Sequence, residues 1–243
     1  MATEILHTTP PDGNFTPLEE IPHDKYLGVT IDNKLTFNQH IDTVTKKATN
    51  LLNLCRRNLY MCPKEVKEAA YKSIVRPHLE YASAAWSPHT QKNIDKIESV
   101  HRRAARFVLG NHNYGPNSGL TNQIKETLKW PTLHHRRIAH DIHILYKIIN
   151  KLLNISLPQI VHKSPTNPHR FLHIQALNSD AFKYSFYART TRFWNKIPPN
   201  ICQITSFPSF KTQSAKFVNS CQIAKQRNTW MLIWTWTDFN LLT

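Results

Sequence analysis

Glycine is scarce in this 243-residue chain, five residues against fifteen prolines, too few tight-turn positions for a sandwich or barrel of many hairpins. The four cysteines, Cys55, Cys62, Cys202 and Cys221, contain no Cys-x-x-Cys pair. Neither a zinc ribbon nor a dithiol redox motif is therefore written in their spacing, and a chain this long needs no disulfide framework to fold. Reduced thiols in a nuclear or cytoplasmic protein are expected. The start Met1-Ala2-Thr3-Glu4 lacks the basic segment and apolar core of a secretory signal. The concentrated apolar run from Trp230 to Trp236 is followed by Asp238 and is too short to span a bilayer, so no membrane partner is expected.

Negative charge is also in short supply: 16 acidic residues face 31 Lys and Arg, a formal net charge of +15. The imbalance is not uniform. Residues 1–45 carry seven acidic and two basic side chains, Lys25 and Lys34, for a net −5, which leaves +20 on the remaining 198 residues. Such a surplus on a folded body sets up a field that favours polyanions, nucleic acid foremost.

What is present in quantity is helical periodicity. Residues 1–14 are polar and unpatterned and are expected to be a poorly ordered leader. Tyr26-Leu27-Gly28-Val29-Thr30-Ile31 reads as a strand or hairpin within Phe15 to Ile31, ended by the turn signal Asp32-Asn33-Lys34. Two strands are marginal alone, so a pairing partner is looked for. From Asn38 the apolar residues Ile41, Val44, Ala48, Leu51, Leu52, Cys55 and Leu59 recur at helical steps. A second helix is predicted from Pro63 through Val66, Ala69, Ala70 and Ile74, stopping before Pro77, and a third over Leu79 to Trp86. A fourth runs from Gln91 to about Leu109 with Ile94, Ile97, His101, Ala104 and Val108 on its buried stripe, closed by Gly110. After a loop at 110–120 come a short helix over Thr121 to Leu128 and a long one from Pro131 through Ile138, Ile142, Leu145, Ile149 and Leu152. A linker is expected near 154–170, then helices over Phe182 to Trp194 and Phe207 to Val218, parted by Pro198-Pro199.

A series of blocks follows one another along the chain: Lys25-Tyr26-Leu27-Gly28-Val29-Thr30-Ile31-Asp32, Arg56-Arg57-Asn58-Leu59, Tyr71 to Ser83 with Arg76-Pro77-His78-Leu79-Glu80-Tyr81, and Trp86-Ser87-Pro88. Arg102-Arg103-Ala104-Ala105-Arg106-Phe107, Leu128-Lys129-Trp130-Pro131, Arg136-Arg137, Tyr146-Lys147-Ile148, Phe193-Trp194-Asn195-Lys196-Ile197-Pro198 and Ser209-Phe210-Lys211 follow. In this order they resemble the C-terminal half of jockey-like and chicken-repeat-like non-LTR retrotransposon reverse transcriptases. The resemblance covers roughly residues 25–217. It implies a mainly α protein: a palm-edge strand remnant at 15–37, a helical thumb-like bundle at 38–109 and a basic helical extension at 121–218. The tail at 219–243 departs from the family pattern. Tyr26, Leu27, Gly28 and Val29 would be the primer-grip remnant.

The same resemblance bears on catalysis. The family's polymerase chemistry needs carboxylates that hold two metal ions against the reacting phosphate, drawn from an Asp-Asp pair upstream of the Tyr-Leu-Gly-Val segment. Only 25 residues precede that segment here and they hold no Asp-Asp. A noncatalytic fragment is therefore expected, with Mg²⁺ belonging only to the intact parent polymerase and no cofactor or metal in this chain. Other chemistries find little support. Asp32 reads as turn chemistry, Glu19-Glu20 as a solvated edge, and no nucleophile elbow or glycine-rich phosphate cradle occurs. His134, His135, His140 and His143 share one helix and invite a metal site, and His169 and His173 stand four apart, but no Cys or carboxylate stands near enough to that pair in sequence to complete one, and no metal is expected.

The basic faces carry the stronger signal. On the helix from Gln91, Lys92, Lys96, Arg103 and Arg106 share one side, and Arg102 borders the apolar stripe with its stem toward the core. On the helix after Pro131, Arg136, His140, His143, Lys147 and Lys151 recur likewise, with Arg137 beside them. Two such stripes would track the phosphates of an RNA or DNA template and primer. Of the interleaved aromatics Trp86, Phe107, Tyr114, Trp130, Tyr184, Phe186, Tyr187, Phe193 and Trp194, most are expected in a helical core rather than on bases. Two other readings stay open: a relic reading frame without function, and a helical module that binds a protein partner.

Overall fold

The structure, a computed structural model, describes residues 21–110, 124–172 and 179–220. The leader, Glu19-Glu20, Tyr114, His173, Cys221 and the Trp-rich run lie outside those residues. Strands β1 (His23–Tyr26) and β2 (Val29–Asp32) pair antiparallel, with Tyr26 opposite Val29. Leu27 and Gly28 between them have φ of 45° and 84°, the left-handed pair of a type I′ hairpin turn, which glycine adopts without steric cost. All of β1 is exposed, whereas Val29 is buried in the core behind β2. The Thr30 N–H donates to His40 Nδ1 at 3.2 Å, so the hairpin finds its support on the first helix.

Asp32 serves the turn into that helix. Its Oδ1 accepts from the N–H groups of Lys34 (3.1 Å) and Thr36 (3.0 Å) and its Oδ2 from that of Phe37 (2.7 Å). Burial pushes its pKa up, but these bonds outweigh it and leave the carboxyl below its ordinary value. Helix α1 (Asn38–Asn58) then buries Ile41, Ala48, Leu52 and Cys55, the stripe that the periodicity marks.

Helix α2 (Lys64–Ala70) does not stop before Pro77. It passes through a π turn, Tyr71–Val75, into α3 (Arg76–Glu80). The Arg76 N–H bonds the carbonyl of Tyr71, five residues back, and that widened turn puts Pro77 in a first turn, where its missing N–H and ring do least harm. The residues predicted for the buried side, Val66 and Ile74, are each 44% exposed; Tyr71, Val75 and Leu79 are buried instead. The predicted third helix is also divided, because Ala82 has φ 51° and separates α3 from α4 (Ser83–Trp86). Helix α5 (Gln91–Leu109) closes on Gly110, whose φ is 64° and whose N–H bonds Arg106 O, as expected of a C-terminal glycine.

Beyond a π segment at Ile124–Leu128, Trp130 stacks on Tyr71 with ring centroids 4.7 Å apart. Helix α6 (Leu133–Ile149) starts at Thr132, whose hydroxyl accepts the His135 N–H at 3.1 Å. It ends before Leu152, which is 56% exposed rather than part of the buried face. The remaining helices are α7 (Asp180–Lys183), α8 (Phe186–Trp194), α9 (Pro199–Cys202) and α10 (Phe207–Ser220); the predicted 182–194 helix is thus broken at Tyr184-Ser185.

Two hydrophobic clusters result. One runs from Val29 to Leu133 and is built by β2 and α1 to α5; the other runs from Ile138 to Val218 and is built by α6 and the elements after it. Helix α6 belongs to both, with Leu133 in the first and Ile138, Ile142, Leu145 and Tyr146 in the second.

Candidate nucleic-acid interface

The apolar faces of α1 and α5 pack on each other, and their polar edges border a cleft. Its larger part, about 680 Å³, is lined by Asn50, Asn53, Arg56, Arg57 and Tyr60 from α1 and the turn after it. Lys67 of α2 and Arg103, Arg106, Phe107 and Gly110 from α5 and its end complete the wall. Five cations and no carboxylate line it. Toward the start of α1 a shallower part of about 370 Å³ shares Asn50 and Arg103 with it and adds Asp42, Lys46, Thr49 and Lys96. There Asp42 pairs with Lys96, and Arg103 Nη2 donates to Thr49 Oγ1 at 3.0 Å. The Lys67 ammonium lies 5.6 Å from the centre of the Phe107 ring, a cation–π contact that keeps one wall both apolar and positive.

Of the α5 residues named from sequence, Lys96, Arg103 and Arg106 border this cleft and Lys92 is exposed on the first turn. Arg102 departs from expectation: it is exposed, while Arg103 is the partly buried one. The reason is that α5 packs against α1, α2 and α6. Asp95 and Arg102 are left facing solvent.

The α6 residues meet different surroundings. Arg136 forks onto Glu80, with Nη2 to Oε2 at 3.0 Å and Nε to Oε1 beside it. Arg137 is 1% exposed, so burial removes it from the phosphate-facing set. Burial pushes its pKa down, and the carboxylates of Glu98 and Asp141 oppose that. Glu98 Oε1 accepts the His134 N–H at 2.8 Å, placing a carboxylate at the positive end of α6. Asp141 Oδ2 accepts from Arg189 Nε at 2.9 Å. Both carboxyls have pKa values raised by burial, against the pull of Arg137 on Glu98 and of Arg189 on Asp141. His143 bonds Ser214 Oγ at 3.0 Å, and burial lowers its pKa to about 4. Lys147 stands over the Phe207 ring at 4.7 Å. His140 and Lys151 are exposed, with Lys151 past the helix end. The α6 cations therefore do not form one free face.

Tyr26 and Leu27 stand out from the hairpin turn at 67% and 73% exposure. Tyr81 Oη donates to Leu27 O at 3.0 Å, and a Cβ on Gly28 would lie 3.5 Å from the Tyr81 ring, so the turn rests on the loop after α3. Trp86, Trp130 and Trp194 are buried, in keeping with a core role. Among the described residues no group of three or more His, Cys, Asp or Glu is placed to hold a metal ion; His169 faces the Gln203 side chain at 3.1 Å. No helix among them is long and apolar enough to cross a membrane.

Sequence reasoning missed Arg56, Arg57, Lys67 and Tyr60 as cleft residues. Asn50, Asn53, Arg57 and Tyr60 recur at steps of three and four on α1 and its continuation, a polar stripe that could have been read as the facing wall.

No family model matches the chain and no solved structure does. The chain is similar, however, to RNA-directed DNA polymerases of mobile elements. One is the probable RNA-directed DNA polymerase from transposon X-element of Drosophila melanogaster, 25% identical over 150 residues, 55% of this chain and 16% of that protein. A second is the RNA-directed DNA polymerase from mobile element jockey, also of Drosophila melanogaster, 29% identical over 114 residues, 45% of this chain and 12% of that protein. The corresponding protein from transposon BS is 28% identical over 95 residues, 37% of this chain and 10% of that protein. The chain thus spans only a small part of the length of these relatives, and the likeness is that of a jockey-like reverse transcriptase fragment.

Proposed function

We propose that this stretch is a noncatalytic nucleic-acid-gripping part of a retrotransposon RNA-directed DNA polymerase, with the α1–α5 cleft as the place where template or primer phosphates bind. The observation that carries it is the cleft wall, five cations without a carboxylate, on a chain of net charge +15. Arg and Lys at such spacing neutralise phosphates and release the counterions condensed on them. The noncatalytic half of the reading rests on the sequence, in which no Asp-Asp pair occurs.

The experiment is a titration of short duplex DNA and single-stranded RNA at several salt concentrations, with wild type and an Arg56→Ala, Arg57→Ala, Arg103→Ala variant. Each lost phosphate contact removes about 0.9 from the log-log salt slope on a B-form duplex and about 0.7 on a single strand. The variant is expected to flatten the slope by about two to three units on this scale, and neither protein to extend a primed template. An unchanged slope in a folded variant would remove the cleft from consideration.

A further inference from the structure

Tyr60 is 66% exposed and sits in the cationic cleft rather than apart from it. Its position is fixed by the turn that ends α1: Leu59 N–H bonds Cys55 O at 2.8 Å and Cys62 N–H bonds Leu59 O at 3.1 Å, while Leu59 packs on the core. The turn therefore fixes the Tyr60 backbone at the edge of the cleft, and the exposed phenol ring lines the cleft and contributes little to the core. A single exposed tyrosine is ordinary. One placed among Arg56, Arg57 and Lys67, with the Asn50 and Asn53 amides on the same wall, has a complement for each of the three things an unpaired nucleotide offers a partner. They are a charged phosphate, a flat base with two π faces, and an edge that both donates and accepts hydrogen bonds. The volume, about 680 Å³, lies within the range of small-molecule sites.

Duplex bases are already stacked on each other, so a cleft aromatic gains nothing from the interior of a helix. Resting on the reading of the cleft as a phosphate site, we infer that it takes an unpaired nucleotide of single-stranded nucleic acid, with its base stacked on Tyr60 and its phosphates held by Arg56, Arg57 and Arg103. The cleft then distinguishes a strand end or overhang from continuous duplex, which the charges alone cannot do.

The test uses the full chain with three probes: a short oligoadenylate, an abasic oligonucleotide of equal length, and a blunt duplex. Base–aromatic stacking corresponds to an affinity loss of about five- to 150-fold on truncation to alanine. Tyr60→Ala is expected to weaken oligoadenylate binding by that factor and to leave abasic and duplex affinities and every salt slope unchanged. Tyr60→Phe, which keeps the ring, should restore the wild-type value, and 2-aminopurine placed in the oligoadenylate should be quenched by wild type and by Tyr60→Phe alone. Equal losses on all three probes, or no loss on oligoadenylate while the arginine variant still flattens the slope, overturn the stacking inference and leave the phosphate site standing. If the arginine variant also changes nothing, both fall together.

Discussion

Along α5, Lys96, Arg103 and Arg106 line the edge of a cleft whose acidic lining residue is Asp42. Along α6, cations at similar spacing are spoken for: Arg136 by Glu80, Arg137 by burial near Glu98 and Asp141, Lys147 by the Phe207 ring. Written as sequence the two helices look alike. The difference lies in what packs against them, because α5 meets α1, whose facing residues are largely basic or amide, whereas α6 meets carboxylates of α3 and α5 and the arginine of α8. A stripe of positive charge stays at the edge of a cleft where the neighbouring elements bring few carboxylates to it, and where they bring Glu80, Glu98 and Asp141 the same residue types become the polar seam between two hydrophobic clusters.

The seam gives the largest effect. Removing one partner from a buried ionic group leaves the other charge uncompensated and costs about 3–5 kcal/mol. Asp141, 1% exposed, pairs with Arg189 and offsets Arg137, so Asp141→Ala is expected to lower the unfolding free energy by about that amount in urea denaturation. The α5 counterpart Arg103→Ala, which loses a bond to a hydroxyl, is expected to lower it by about 1 kcal/mol. Equal costs at the two positions would erase the distinction between seam and cleft.

Between these lies a pH effect. His101, 4% exposed, shares a 2.6 Å hydrogen bond with Tyr71 and has its pKa lowered to about 4, by burial first and then by the positive Arg136, Arg76 and Arg102. The neutral ring is the folded form. Its contribution is therefore present above the unfolded value near pH 6.5 and is lost as pH falls toward 4, at most about 3 kcal/mol over that window. His101→Gln removes the titration and can still accept from Tyr71. Unfolding free energies measured from pH 7 to 4 should fall more steeply for wild type than for this variant, and parallel curves would show that the ring titrates normally.

How much of this was legible beforehand depends on how local the cause is. The limits of α1 and α5 follow from apolar steps of three and four and from Gly110, all within the segment itself. The passage through Pro77 was not legible, because it depends on a π turn that no spacing announces. Arg136 read as a surface cation because its partner Glu80 lies 56 residues earlier, and Arg137 because Glu98 is on another helix. The cleft on α5 was half legible: Arg103 and Arg106 stood out on an amphipathic helix, while Arg56, Arg57 and Lys67 join them only once α1 and α2 pack alongside.

The smallest expected effect comes from the acid that the cleft does contain. Asp42 and Lys96 form a pair between α1 and α5 with side-chain exposures of 60% and 35%, and a pair so open to water contributes about 0–1 kcal/mol to stability. Asp42→Asn is therefore expected to leave the folded state almost unchanged. Its consequence should appear in binding: it removes a negative charge from the shallow part of the cleft and frees the Lys96 ammonium for a phosphate. One added phosphate contact steepens the log-log salt slope by about 0.7 on a single strand. Lys96→Ala in the same background should return the slope to the wild-type value, since the added contact is that of Lys96. A steeper slope in Asp42→Asn that survives Lys96→Ala would mean that the acid acts through the general field of the cleft and not through one lysine. No change in slope at all would place the bound strand in the deeper part, among Arg56, Arg57 and Arg103, and beyond the reach of Lys96.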